Sequence, residues 1–152
     1  MKTVESLLAE YGLSHQHPVN KRVHWVCVPA IVFSLLGFLW LLPVPLSTPP
    51  WVNWASAVIA LAMFYYLVLT PKLALGMVVV VAVNVAAILA LERTRLPLIY
   101  VYAVIFAAAW LGQFWGHRIE GARPSFFKDL QFLLIGPLWL LAFLYRRRGW
   151  SY

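Results

Sequence analysis

Residues 23–71 read VHWVCVPAIVFSLLGFLWLLPVPLSTPPWVNWASAVIALAMFYYLVLTP and contain no Lys, Arg, Asp or Glu. A helix that crosses the roughly 30 Å hydrocarbon core of a bilayer needs about 20 predominantly apolar residues, so this stretch is long enough for two crossings. The segment PVPLSTPP at 43–50 divides it, because prolines at this density cannot continue a helix. The sequence therefore predicts two transmembrane helices here, near 25–42 and 52–70.

Three further stretches also lack charged residues, namely 73–91, 96–117 and 130–145. The first two predict spans near 73–91 and 97–115. The third is shorter and holds Gly136 and Pro137 near its middle, which favours a kinked or re-entrant helix. We therefore predict an all-α fold, a multi-pass transmembrane helical bundle of four spans plus a C-terminal re-entrant or fifth helix.

The composition supports one integral membrane domain over residues 1–152. Of the 152 residues, 63% are hydrophobic and 11% are charged. Soluble domains average about 45–50% apolar and about 25% charged residues. The mean hydropathy of +0.81 leaves too little polar surface for a soluble domain. Cys27 is the single cysteine, which excludes an intrachain disulfide and a thiolate metal cluster.

The net charge of +7 follows the membrane topology. Lys and Arg residues lie at the ends of the apolar runs, where the positive-inside rule places them, and do not form the basic stripe of a nucleic-acid-binding protein. We therefore predict no nucleic-acid partner. The short loops and the basic tail at 146–152 place the N-terminus in the cytoplasm. We expect the protein in a bacterial inner membrane.

An amphipathic helix is predicted before the first span, within residues 1–24. Its apolar residues recur at helical spacing, at Val4, Leu7, Leu8 and Tyr11. Thr3 is a suitable N-cap and Gly12 a suitable stop. We predict that this helix lies on the membrane surface.

All four histidines lie at the ends of predicted spans. His15, His17 and His24 precede or begin the first span, and His117 follows the fourth. With four spans between them, both ends emerge on the same side of the membrane. His117, in the segment 116–129, can therefore meet the first cluster although it lies far away in sequence.

Other polar residues share helix faces with these histidines. Asn20 lies one turn before His24, and Gln113, His117 and Glu120 follow one another at helical spacing. Imidazoles and a carboxylate without thiolates suit Zn(II), Mn(II) or Fe(II). Polar groups at membrane depth are costly and are functional candidates by default. The alternative is that these histidines only face lipid headgroups.

The same residues resemble a known family. The segments HQHPVNKRVHWVCVP (15–29), QFWGHRIEGARP (113–124) and LIGPLWL (134–140) are similar to the iron(II)-dependent 2-hydroxy fatty acid dioxygenases, over nearly the whole chain. His17 stands where the family usually has Asn. The positions that match the two family motifs are His15, Pro18, Asn20, His24, Gln113, Gly116, His117, Glu120 and Pro124.

The resemblance implies α-oxidation of a 2-hydroxy fatty acid by O2, to CO2 and a fatty acid one carbon shorter, with the acyl chain lying between the spans. It implies that Fe(II) is held by His15, His24 and His117, with Glu120 as a fourth ligand or as a carboxylate that orients an imidazole. His17 is a weaker candidate ligand. The implied substrate contacts are Asn20 or Gln113 to the hydroxyl group and Arg118 or Arg123 to the carboxylate.

Three rival readings stay open at this point. A structural or transport bundle, whose histidines form no metal site, would tolerate the substitutions His24→Ala and His117→Ala. A zinc-dependent membrane hydrolase would use Glu120 as general base and would work without O2. A haem protein would be identified by its absorption spectrum.

Overall fold

The structure, a computed structural model, describes residues 2–45, 49–123 and 131–152. These residues form six helices and no strand, which confirms the all-α class. The helices are α1 (Val4–Leu13), α2 (Pro18–Leu41), α3 (Trp54–Leu69), α4 (Pro71–Glu92), α5 (Leu98–Glu120) and α6 (Phe132–Arg147).

Three of these helices are long and apolar enough to cross a membrane. They are α2, α4 and α5, with 24, 22 and 23 residues. The helix α3 is apolar but has 16 residues, and α6 also has 16 and contains Pro137. The count of four spans plus a re-entrant helix stays a prediction. The helix α2 begins at Pro18, earlier than the predicted span, so His24 lies inside it.

The helices α2 and α5 form the closest pair, and glycines allow their approach. A Cβ added at Gly112 would lie 2.6 Å from Sγ of Cys27, and one added at Gly116 would lie 2.5 Å from Oδ1 of Asn20. Because the later residue of α2 meets the earlier residue of α5, the pair is antiparallel. Gly112 and Gly116 stand four residues apart in the sequence, a spacing of small residues that predicts the close approach of another helix, and the structure confirms this approach.

We expect Gly116→Ala to lower the free energy of unfolding by about 1–3 kcal/mol, because the added methyl overpacks the contact with Asn20. Gly12→Ala is the control, since its Cβ would lie an ordinary 3.6 Å from Nε1 of Trp139. Thermal unfolding in detergent compares the two variants. Equal midpoints for both would contradict the tight α2–α5 contact.

The helix α1 forms as predicted, but its apolar face meets protein. Thr3 caps it by accepting the amide hydrogen of Ser6 at 3.3 Å. The apolar residues of α1 are buried in one hydrophobic cluster with residues of α6. The rings of Tyr11 and Trp139, for example, have centroids 5.6 Å apart. The amphipathic pattern thus identified the apolar side of α1, and protein covers that side. The position of α1 on the membrane surface stays a prediction.

The helix α6 is fixed between α1 and the α3–α4 hairpin. Ile135 and Leu138 of α6 share the hydrophobic cluster with Leu73 of α4, and all three are fully buried. The hydroxyl of Tyr66 in α3 donates to the carbonyl of Leu134 at 2.8 Å. These contacts hold α6, and through it α1, beside the α2–α5 pair.

Candidate metal centre

Three buried imidazoles converge where α1, α2 and α5 meet. His15 lies on the turn between α1 and α2, His24 lies in α2, and His117 lies in the last turn of α5. Their side chains are 1%, 1% and 4% exposed. One ring nitrogen from each lies within 4.8 Å of the other two. The meeting of His117 with the first histidine cluster is therefore confirmed.

Hydrogen bonds fix the protonation of two of the three rings. Nδ1 of His15 lies 2.5 Å from the carbonyl oxygen of Tyr11, and Nδ1 of His24 lies 2.9 Å from that of Asn20. A carbonyl oxygen can only accept, so each Nδ1 carries the proton and each Nε2 presents a lone pair. The two Nε2 atoms face each other at 2.8 Å. Two lone pairs at this distance repel unless a cation or a proton lies between them.

A bridging proton on His15 is disfavoured at neutral pH. Its pKa is lowered to about 4, chiefly because burial disfavours the charged form, against the opposing effect of the Tyr11 carbonyl. The neutral ring is the form that binds a metal ion. A metal cation is therefore the group that best satisfies the facing lone pairs.

The third ring offers a further donor atom. Nδ1 of His117 is buried and has no hydrogen-bond partner among the residues that the structure describes. Leaving such an atom unsatisfied costs about 1–3 kcal/mol, so each case calls for an explanation such as an ion. The three imidazoles together fit a metal ion. A site of imidazoles without thiolates suits Zn(II), Mn(II) or non-haem Fe(II).

Glu120 binds the turn that carries His15. Its Oε1 accepts the amide hydrogen of Gln16 at 2.7 Å, and its Oε2 accepts that of His17 at 2.8 Å and one from Nδ2 of Asn20 at 3.1 Å. The carboxylate thus joins the C-terminal end of α5 to the start of α2. It is not part of the three-residue group whose ligand atoms lie together.

Asn20 and Gln113 bring further buried polar atoms to this region. Nδ2 of Asn20 also donates to the carbonyl of Ser14 at 3.2 Å. Oδ1 of Asn20 and Oε1 of Gln113 are buried, and neither has a hydrogen-bond partner in the described part of the chain. Gln113 lies one turn before His117, as its spacing predicted. Its free oxygen can accept a hydrogen bond from a ligand.

The remaining predicted site residues are exposed. His17 caps α2, and its Nδ1 accepts the amide hydrogen of Val19 at 3.2 Å. Arg118 lies in the last turn of α5, and Arg123 follows the helix. The structure does not bring these three into the buried group. Pro124, the last residue of the second motif, lies outside the described residues.

A narrow cavity of about 50 Å³ extends from the histidines between α2, α5 and α6, and we call it the proximal cavity. Its polar end holds His24, His117 and Gln113, and its apolar end holds Val32 and Trp110. Val32 lies eight residues after His24, about 12 Å along the helix axis at 1.5 Å per residue. The lining thus changes from polar to apolar along the helices, as an amphiphile requires.

Sequence reasoning missed the contribution of Tyr11 and Trp139. The ring of Tyr11 stacks on His15 with centroids 4.1 Å apart, and its carbonyl accepts the His15 proton. The Trp139 ring lies 5.5 Å from His15. The sequence contains one signal for the Tyr11 contact, which is that Tyr11 stands four residues before His15. That separation brings the Tyr11 carbonyl within hydrogen-bonding distance of His15 only if the chain keeps turning as a helix up to His15.

Comparison with known proteins gives one match. A family model described as "Mpo1-like: 2-hydroxy-palmitic acid dioxygenase Mpo1-like" matches residues 1–148. No curated protein and no solved structure matches the chain.

Proposed function

The chain belongs to the Mpo1-like family, and we propose that it is a membrane Fe(II)-dependent dioxygenase that shortens 2-hydroxy fatty acids by one carbon. The reaction RCH(OH)COOH + O2 → RCOOH + CO2 + H2O balances as written. The substrate supplies all four electrons that O2 takes up, so no organic reductant is needed. The described residues accordingly need to provide only a metal centre and a place for an amphiphile.

The observation that carries this proposal is the pair of facing Nε2 lone pairs. His15 and His24 hold them 2.8 Å apart, with both Nδ1 protons committed to backbone carbonyls. His117 brings a third imidazole nitrogen within 4.8 Å of theirs, and its buried Nδ1 has no hydrogen-bond partner among the described residues. Such an arrangement is costly in the folded protein without a cation and is satisfied by one.

His15, His24 and His117 would hold Fe(II), which when bound supplies the redox chemistry that reaction with O2 requires. Three protein ligands leave open positions on a metal of higher coordination number, where a substrate can bind. Glu120 would keep His15 in place through the backbone of the turn, which is a positioning role. Contacts that hold a metal ligand in place in this way tune metal affinity.

The substrate would enter with its carboxylate and hydroxyl toward the histidines. Oε1 of Gln113, which is buried and unpaired, would accept the hydrogen bond of the 2-hydroxyl group. Asn20 is a second candidate for that contact, through its unpaired Oδ1. Arg118 and Arg123, at the same end of α5, would attract the carboxylate. The acyl chain would occupy the apolar end of the proximal cavity.

We also propose that the centre lies at the cytoplasmic side of a bacterial inner membrane. The excess of Lys and Arg near the histidine end supports this orientation. A fatty acid dissolved in the bilayer would then reach the centre from the lipid without crossing water.

Oxygen uptake by Fe(II)-loaded protein in detergent tests the reaction. We expect 2-hydroxypalmitate to consume one O2 and to release one CO2 for each molecule of the shortened acid formed. Palmitate is the matched control, because it lacks the hydroxyl group and should consume no O2. Turnover of the hydroxy acid without O2 would contradict the proposal. Absence of turnover from protein that contains stoichiometric iron would also contradict it.

A further inference from the structure

A second cavity adjoins the proximal one along α2. It has a volume of about 120 Å³ and is lined by α2, α4 and α6; we call it the distal cavity. Its wall includes Trp25 and Pro29 of α2, Val80 of α4 and Leu140 of α6. Asn84 is the polar residue of this wall, and its Nδ2 already donates to the carbonyl of Val80 at 2.8 Å. The cavity is therefore suited to an apolar occupant.

The two cavities share part of their walls. Val28, Val32 and Pro137 line both, so these three side chains form the partition between the cavities. Val28 and Val32 lie on successive turns of α2 beyond His24. An acyl chain whose head lies at the histidines and which runs along α2 therefore meets this partition before it reaches the distal cavity.

Helix-interior prolines lie at this partition. Pro29 and Pro137 each lack the amide hydrogen that would pair the carbonyl one turn earlier, and a proline at such a site bends a helix. Pro29 lines the distal cavity and Pro137 lines both cavities. Each of these two helices therefore has a site beside the cavities at which it can bend.

The proximal cavity is too small for a whole long-chain acid. Cavities that hold drug-sized ligands measure about 300–1,000 Å³, whereas the proximal cavity measures about 50 Å³ and the distal cavity about 120 Å³, so a long chain fits only when the side chains between the two cavities move apart. The proximal cavity has room for the head and the first carbons, so the remaining chain must continue elsewhere. The rest of the acyl chain can lie either in the distal cavity or in the surrounding lipid.

We propose that the distal cavity is the terminal subsite for the acyl chain, which passes the partition formed by Val28, Val32 and Pro137. This inference rests on the proposed function, because it concerns the chain of the same substrate. Val80 then limits the chain length that the protein accepts, as a specificity-determining residue far from the metal centre.

Val80→Phe tests this assignment by filling the distal cavity from α4, which carries none of the three histidines. We expect turnover of 2-hydroxypalmitate, measured as kcat/KM, to fall by at least about tenfold, while that of 2-hydroxyoctanoate changes by less than about twofold. Val79→Phe is the matched control, since Val79 is the neighbouring residue and is 64% exposed on the outer face. Equal effects of Val80→Phe on both acids, or none on either, would overturn the inference.

Photo-crosslinking of the wild-type protein gives a second test that needs no variant. The probe is a 2-hydroxy fatty acid of palmitate length with a diazirine at its methyl end. Labelling of the segments around Val80 or Leu140 supports the distal subsite, and labelling of Trp110 or of the outer faces of the helices overturns it. If the wild-type protein turns over neither acid, the proposed function fails, whereas the labelled position still decides where the alkyl chain binds.

Discussion

His24→Ala and His117→Ala are each expected to reduce bound iron from about one per chain to less than a tenth of that value. Each variant removes one of three convergent donors, and the centre brings together residues from both ends of the chain. Loss of a supporting contact alone typically costs 10- to 100-fold in metal affinity, and loss of a ligand costs at least as much. Metal analysis of protein purified without oxygen measures the effect.

His17→Ala is the matched control for these variants. His17 is exposed and serves as the N-cap of α2, so its loss is expected to cost about 1 kcal/mol of stability without loss of metal. Thermal unfolding gives an independent readout. Added metal at 100 times its dissociation constant should stabilise the wild type and His17→Ala by about 2.7 kcal/mol, and should leave His24→Ala and His117→Ala unchanged.

Other outcomes identify the rival functions. The hydrolase would be favoured if the protein contains one zinc per chain and gains no activity when iron replaces the zinc. Folded wild-type protein that binds no metal and gains no stability from it would indicate a bundle whose histidines have a structural role. Retention of metal by both His24→Ala and His117→Ala would mean that these residues do not form one centre.

The charge pattern allowed the meeting of the histidines to be predicted. Charged residues mark the ends of the apolar runs, and the four spans predicted between His24 and His117 led us to expect both residues on one side of the membrane. Their convergence within a few ångströms also required the close approach of α2 and α5, which Gly112 and Gly116 signal through their spacing. The charged residues and the glycines are both visible as residue types, so these two features could be predicted from the sequence.

Contacts made by backbone groups could not be predicted in the same way. The spacing of His117 and Glu120 placed them on one face, but the partners of Glu120 are the amide hydrogens of Gln16 and His17. Any residue type provides such a donor, so the sequence gives no sign of it. The same holds for the Tyr11 carbonyl that sets the protonation of His15. The likeness to a known family supplied the ligand set but not these supporting bonds.

Glu120→Ala is expected to weaken iron binding by about 10- to 100-fold without abolishing the site, because its carboxylate positions the His15 turn. The substitution leaves the amide hydrogens of Gln16 and His17 and one from Asn20 without their acceptor. Each unsatisfied donor that stays buried costs about 1–3 kcal/mol, and the turn relaxes to reach water instead. His15 then spends less time facing His24. Titration with Fe(II), followed by activity at saturating metal, measures the effect.

The saturation behaviour separates a positioning residue from a ligand. If Glu120 positions His15, excess Fe(II) restores one metal per chain in Glu120→Ala and recovers most of the activity, whereas excess metal does not rescue His24→Ala. If Glu120 is itself a ligand, Glu120→Ala behaves like His24→Ala at every metal concentration. Glu10→Ala is the control for loss of a carboxylate, since Glu10 forms an exposed ion pair with Lys2 that contributes little to stability. Glu120→Asp should fall between wild type and Glu120→Ala, because the shorter side chain keeps the charge but cannot reach both amide hydrogens at once.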